Sequence, residues 1–339
     1  MPMVSIIVVT PAALLIARHG SSWIVEEHLR GPSPGCVAVD PQDPTRAYCG
    51  TARDGLFRSR DRGHTWEPVG TGIEHGAITA VAVGNVERPD GFGVVYVGTE
   101  PSAVFRSAAA GDDWVDLSGL RGLPSASSWS FPPRPERHHV RWIEADVNVS
   151  GRLFVAIEAG ALVRTFDDGR TWHDRVRGGP YDTHKAATHP LAPGRLYSSA
   201  GDGYFESVDA GDSWRSPDTG LKHHYLVDIA VDPADPDTVV VSATHGPFVA
   251  YRPGSAESYI YRRTGANAWE LAMTGLPPAT ATTASRFAVH PSEPNVIYAA
   301  NNRGVFRSDD AGRRWRVIDV PWPQPGLADG VSALACLPD

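Results

Sequence analysis

The pattern Ser/Thr-x-Asp-x-Gly-x-x-Trp recurs along this 339-residue chain, and a repeated turn of this kind leaves few architectures open. Clear copies stand at Ser59 to Trp66 (SRDRGHTW), Thr165 to Trp172 (TFDDGRTW), Ser207 to Trp214 (SVDAGDSW) and Ser308 to Trp315 (SDDAGRRW). A degraded copy, Ser107 to Trp114, has Ala109 in place of the aspartate, a looser one ends at Trp269, and a seventh is reduced to Gly20-Ser21-Ser22-Trp23. Each good box follows a short alternating strand such as Gly304-Val305-Phe306-Arg307, with a second strand such as Val296-Ile297-Tyr298-Ala299 upstream. Before that comes Val-Ala-Val-Asp-Pro or a variant, as at Val37 to Pro41, Ile229 to Pro233 and Phe287 to Pro291. The unit is therefore four strands with the box as its last turn. The Ser and Asp side chains can bond backbone N–H groups, Gly supplies a positive φ, and Trp fills the space between neighbouring sheets.

The seven tryptophans are 43, 48, 58, 42, 55 and 46 residues apart, and passing from Trp315 through the C-terminus to Trp23 adds 47. The spacing closes on itself. Residues 331 to 338 (VSALACLP) supply an innermost strand, and residues 3 to 23 align without gaps on 46 to 66. These features predict an all-β, seven-bladed β-propeller with four-stranded antiparallel blades, a single unit over 1–339. Its ring is closed by a split blade made of 1–30 plus 331–339. The 34 glycines and 29 prolines fit such a turn-rich chain and argue against a helix bundle. The apolar run from Met1 to Gly20 lacks a basic leader and an A-x-A-like cleavage site and is broken by Pro11, so it reads as two strands of the split blade rather than a signal peptide or membrane span. Three cysteines without metal-ligand spacing, Cys36, Cys49 and Cys336, suit a reduced compartment, and a cytoplasmic location is expected. A net charge of −8 with no basic tract argues against nucleic acid as a partner.

On the boxes just quoted, the chain resembles the BNR or Asp-box propellers, a superfamily that includes sialidases, xyloglucanases, sortilin-type receptors and photosystem assembly factors. The resemblance covers the whole chain. It implies that the boxes are structural turns at the blade periphery, and so that Asp61, Asp167, Asp209 and Asp310 are structural. It also implies what a sialidase would need: three arginines on a carboxylate, a Tyr/Glu pair and an Arg-Ile-Pro motif on six blades. No Arg-Ile-Pro occurs here, which speaks against sialidase activity. The xyloglucanase members work with a cleft between two propellers, which a single propeller does not form.

Aligning the seven innermost strands gives a mostly alanine position, namely Ala38, Ala82, Glu144, Ala187, Ala230, Ala288 and Ala335. Two residues earlier stand Cys36, Ala80, Trp142, Lys185, Asp228, Arg286 and Ala333. Blades three to six should thus carry Trp142, Glu144, Lys185, Asp228 and Arg286, with Arg141 beside them, toward one end of the channel. His75, His138, His139, His184, His223 and His224 fall just before innermost strands, and Arg53, Asp54, Glu100, Glu158, Asp202, His245 and Arg303 lie in loops of the same end. Two insertions, 121–139 and roughly 244–258, are expected to rise there as lids carrying Trp129, Phe131 and Tyr251. The second placement is open, because Gly246-Pro247-Phe248 could itself start the third strand.

A rigid scaffold with convergent polar loops favours a site at this rim, and three readings compete. The first is a polar, His-rich pocket for a small polar or anionic ligand, with hydrolase- or lyase-type chemistry as its catalytic use. In it Glu144 or Asp228 acts as base, Lys185 and Arg286 hold the anion, and His184 serves as acid or base, with Arg141, Trp142, His139, His224, His245, Glu158, Asp202 and Arg303 contacting the ligand. The second is a divalent-metal enzyme with His139, His184 and His224 as ligands from separate blades, joined by Glu144 or Glu158. The third is a non-catalytic module that binds a protein partner. Against all three stands a bland alternative: Glu144, Lys185, Asp228 and Arg286 form an inter-blade salt-bridge network that only stiffens the axis.

Overall fold

The computed structural model describes residues 5–86, 91–323 and 326–338. Its strands form seven separate antiparallel sheets, each built from strands consecutive in the chain except one. In the exception, Ala333–Leu337 pairs with Ser5–Val9, with Leu14–His19 and Trp23–His28 outside it. Within the apolar N-terminal run, Ser5–Val9 and Leu14–His19 are thus two strands of the split blade, and residues 1–4 lie outside the described residues. Leu334 and Cys336 join Tyr298 and Ala300 of blade six in one buried cluster, while Ile7, Leu14 and Leu337 join Cys49 of blade one in another. The split blade is packed on both flanks and the ring is closed.

The predicted alignment of the innermost strands holds in the observed register of six blades. Ala38, Ala82, Glu144, Ala187, Ala230 and Ala288 pair with Tyr48, Tyr96, Phe154, Tyr197, Val240 and Tyr298 of the second strand, and Ala335 pairs with Ile7, two residues beyond Ser5, which the gapless alignment of 3–23 on 46–66 sets against Tyr48. Blades one, two, five and six have four strands, whereas in blades three and four the fourth is reduced to single bridges, Arg164 to His173 and Glu206 to Arg215.

The boxes form the turn their residues call for. In blade four, Ser207 Oγ accepts from Gly211 N at 2.8 Å, while Asp209 accepts from Ser213 N at 2.9 Å and Ser213 Oγ at 2.6 Å. Gly211 sits at φ +86°, where a Cβ is disfavoured, and its carbonyl accepts from Trp214 Nε1 at 3.1 Å. The same bonds recur around Asp61 and Asp167. In the degraded copy Ser107 Oγ still holds Gly111 N, and Trp114 still bonds the Gly111 carbonyl. At Trp23 the box is gone and a tight hairpin pairs Trp23 with His19.

Both insertions lack strands. Residues 118–128 form two short 3₁₀ turns, and Pro247–Val249 is a third. The third strand of blade five is Ser258–Thr264, so residues 245–257 are a loop.

Candidate functional site

Five of the innermost strands carry a β-bulge at the same place, where the register slips past Gly35, Thr79, Arg141, His184 and Val227. A bulge adds one residue to the strand and turns its side chain out of the regular alternation. Repeated in five blades, the device adds one residue at the same end of the channel, with a side chain in all but blade one, where it is Gly35. In blades three and four these side chains are Arg141 and His184.

Above the bulges lies a cavity of about 760 Å³, within the size range of small-molecule sites. Arg53, Arg134, Arg137, Arg141 and Arg286 line it, against the carboxylates Glu100, Glu158 and Asp329. In a chain of net charge −8 this is a local reversal of sign. The 121–139 insertion supplies one wall: Arg134 and Arg137 both bond Glu100, at 2.9 and 3.0 Å, and Phe131 meets the His139 ring edge-on at 5.2 Å. The second insertion contributes Tyr251, whose ring centre lies 5.9 Å from the Arg286 guanidinium.

Two guanidinium groups form the floor. Arg141 Nε stands 3.0 Å from Glu158, which His139 Nε2 also approaches at 3.1 Å. Burial would raise the Glu158 carboxyl, but Arg141 and the His139 bond outweigh it and hold the group at about 2. Arg286 is less well compensated. It donates to the carbonyls of Val227 and Val331 at 3.2 and 3.4 Å, and its nearest carboxylate, Asp228, is 3.8 Å away. Burial, reinforced by the neighbouring Arg141, pushes its pKa down, so the charged form is under strain that an anion would relieve.

The remaining candidates separate into groups. Lys185, Asp228 and Trp142 line the narrow channel below the cavity, with Lys185 Nζ 2.7 Å from Asp228 and 5.2 Å from the Trp142 ring centre. Glu144 lies off both the cavity and the channel lining. It accepts from Thr188 N and Oγ1, each at 2.8 Å, tying blade three to blade four. Burial raises its carboxyl to about 7 against those bonds. His184 is buried beside Tyr225. His224 and Arg303 are exposed and line neither space, and His245 faces His223 at 3.2 Å instead. Asp202 accepts from the Tyr181 and Asp182 amides as a loop support.

The three histidines expected as metal ligands do not come together, because His224 points to solvent while His139 is spent on Glu158. Among the described residues, the grouping of metal-ligating type is Glu158, Asp182 and His184. Asp182, Arg134, Arg137 and Asp329 escaped the sequence reading. For Asp182 a signal existed in the Asp-x-His spacing to His184.

Comparison with known proteins places this architecture. A structure of an ancestral GH74 enzyme superposes with a TM-score of 0.60 at 13% identity, covering 89% of this chain and 38% of that one. A structure of YCF48 bound to D1 peptide superposes with a TM-score of 0.55 at 19% identity, covering 84% and 82%. The likeness is one of fold. No family model matches this propeller. Among curated proteins it is 24% identical over 303 residues, 86% of its length, to a probable oligoxyloglucan-reducing end-specific xyloglucanase of Neosartorya fischeri. The propeller spans about a third of the length of the curated relatives it matches.

Proposed function

We propose that this propeller binds a small anionic ligand, a carboxylate or phosphate ester, in the cavity at the axial mouth. The observation that carries the reading is the pair Arg141 and Arg286 on the cavity floor, the second buried with its carboxylate partner Asp228 no nearer than 3.8 Å. Charge-assisted bonds from guanidinium to a carboxylate or phosphate are short and often bidentate, and they strengthen away from water. Arg53 on the wall adds a third positive group that the ligand can reach. Tyr251 and Phe131 supply apolar surface for the rest of the molecule.

Binding is favoured over glycoside hydrolysis by the state of the carboxyl groups. A glycosidase needs one carboxyl kept protonated near neutral pH and a second facing it across the scissile bond. In this cavity Glu158 is held at about 2 and Glu100 is clamped by two arginines, while the raised carboxyl of Glu144 is bonded to Thr188 outside the cavity. The size comparison points the same way, since YCF48 is matched over most of its length and the xyloglucanase over a third.

Isothermal titration with a panel of sugar acids, di- and tricarboxylates and sugar phosphates at low salt tests the proposal. At least one class should bind, and Arg286→Met should weaken it by about tenfold or more, the scale of one lost charged bond. Arg53→Gln, on an exposed wall residue, should weaken it without touching the fold. Failure of every anion to bind, or affinity unchanged in both variants, would refute the reading.

A further inference from the structure

Where the cavity meets the channel, three acceptor groups from two blades face one another. Glu158 lies in the hairpin after the second strand of blade three, and Asp182 and His184 flank Thr183 at the start of blade four. One potential ligand atom from each lies within 4.8 Å of the others. Glu158 borders the cavity above and His184 the channel below.

The histidine is oriented by its second nitrogen. Nδ1 lies 2.6 Å from the Leu226 carbonyl oxygen, a bond that only a ring N–H can make. In the neutral imidazole, Nε2 therefore carries a lone pair. That atom is buried with no hydrogen-bond partner, and it points toward Asp182 Oδ2 at 3.6 Å. Asp182 in turn takes the Ala159 amide on Oδ1 at 2.7 Å, leaving Oδ2 in the cluster. A Cβ at Gly201 would lie 2.1 Å from Oδ2, so only glycine leaves that oxygen its place. Arg141 balances Glu158 from 3.0 Å, but the His184 lone pair and Asp182 Oδ2 face each other at 3.6 Å and repel unless a proton or a cation sits between them.

We infer that Glu158, Asp182 and His184 bind a divalent first-row transition-metal ion. One imidazole nitrogen and two carboxylate oxygens are donors suited to zinc, manganese, iron or cobalt. Bonds of about 2.0–2.2 Å would draw the three atoms inward by small side-chain rotations. Two carboxylates balance the charge of the ion, which removes the cost of burying either alone. The outer contacts also fit, because metal-bound histidines commonly donate their free N–H to a backbone carbonyl and metal-bound carboxylates are themselves hydrogen-bonded. Leu226, Ala159 and His139 fill those roles, with Arg141 beside Glu158 as a counter-charge. Three protein ligands leave positions open toward the cavity, where water or an oxygen of a bound anion completes the shell. The inference does not depend on the anion site, since the metal alone is its ligand.

The test uses untagged full-length protein, stripped with a chelator and titrated with Co²⁺. One equivalent should bind, with visible d–d bands and a raised thermal midpoint, and Zn²⁺ should displace the colour. His184→Gln and Asp182→Asn should each abolish the bands while the metal-free melting and circular dichroism stay close to wild type. The wild-type result stands alone should a variant fail to fold. Absence of a stoichiometric site in wild type, or bands retained in folded variants, would overturn the inference and leave a shared proton between Asp182 and His184 as the occupant.

Discussion

At the scale of single residues, similar carboxyl groups of one blade meet opposite fates, and their surroundings decide which. Glu158 and Glu144 come from the same blade, yet the first is held at about 2 by Arg141 and His139 and the second is raised to about 7 by burial. For Glu144 the consequence for stability has a definite sign. Below its ordinary value of 4.5 the group is neutral folded or unfolded. Between there and about 7 the unfolded chain releases the proton while the folded one keeps it, so stability falls as pH rises, and above 7 the penalty is complete. Urea midpoints should therefore show wild type losing stability relative to Glu144→Gln between pH 4.5 and 7; parallel curves would mean that the Thr188 donors keep the carboxylate ionised throughout. The odd carboxylate in a row of alanines was visible in the sequence. Its tie to Thr188 was not, because that bond crosses between blades and nothing local announces it.

At the scale of elements, the box and the bulge have different legibility. The box is a local turn: its Ser, Asp, Gly and Trp bond atoms within four residues, so sequence spacing alone carries the geometry. The Asp209 carboxyl, held at about 2 by bonds from Ser213 and Ser207, lends stability above the ordinary aspartate range that is lost as pH falls toward 2. Asp209→Ala should cost on the order of 1 kcal/mol in chemical denaturation, the scale of its lost hydrogen bonds, and should leave anion affinity unchanged. A loss of affinity instead would place the box in the site. The bulges are another matter. They depend on pairing between two strands, and no residue type at Gly35, Thr79, Arg141, His184 and Val227 marks them. Arg141 was legible as a neighbour of Trp142, but its turn onto the cavity floor was not. The arginines of the 121–139 insertion were hidden in the same way, since a loop's sequence does not say which carboxylate it will meet.

At the scale of the whole molecule, ring closure through residues from both ends of the chain is what makes the axial mouth a fixed cavity. Leu14 and Leu337 are fully buried between the split blade and blade one. Leu337→Ala should cost roughly 2–4 kcal/mol, and the loss should appear in one transition reported alike by tryptophan fluorescence and circular dichroism. An early separate phase would show a ring that opens at its seam. Closure was readable from the Trp spacing, whose interval of 47 across the chain ends falls among the others, whereas the arginine-rich mouth of an acidic chain required all seven blades in place. The most direct measurement of the central claim is calorimetric titration of the anion panel into wild type and Arg286→Met at two salt concentrations. The account predicts stoichiometric binding of a carboxylate or phosphate that weakens with salt and falls about tenfold or more in the variant. Binding that ignores both salt and Arg286, or none from any anion, would contradict it.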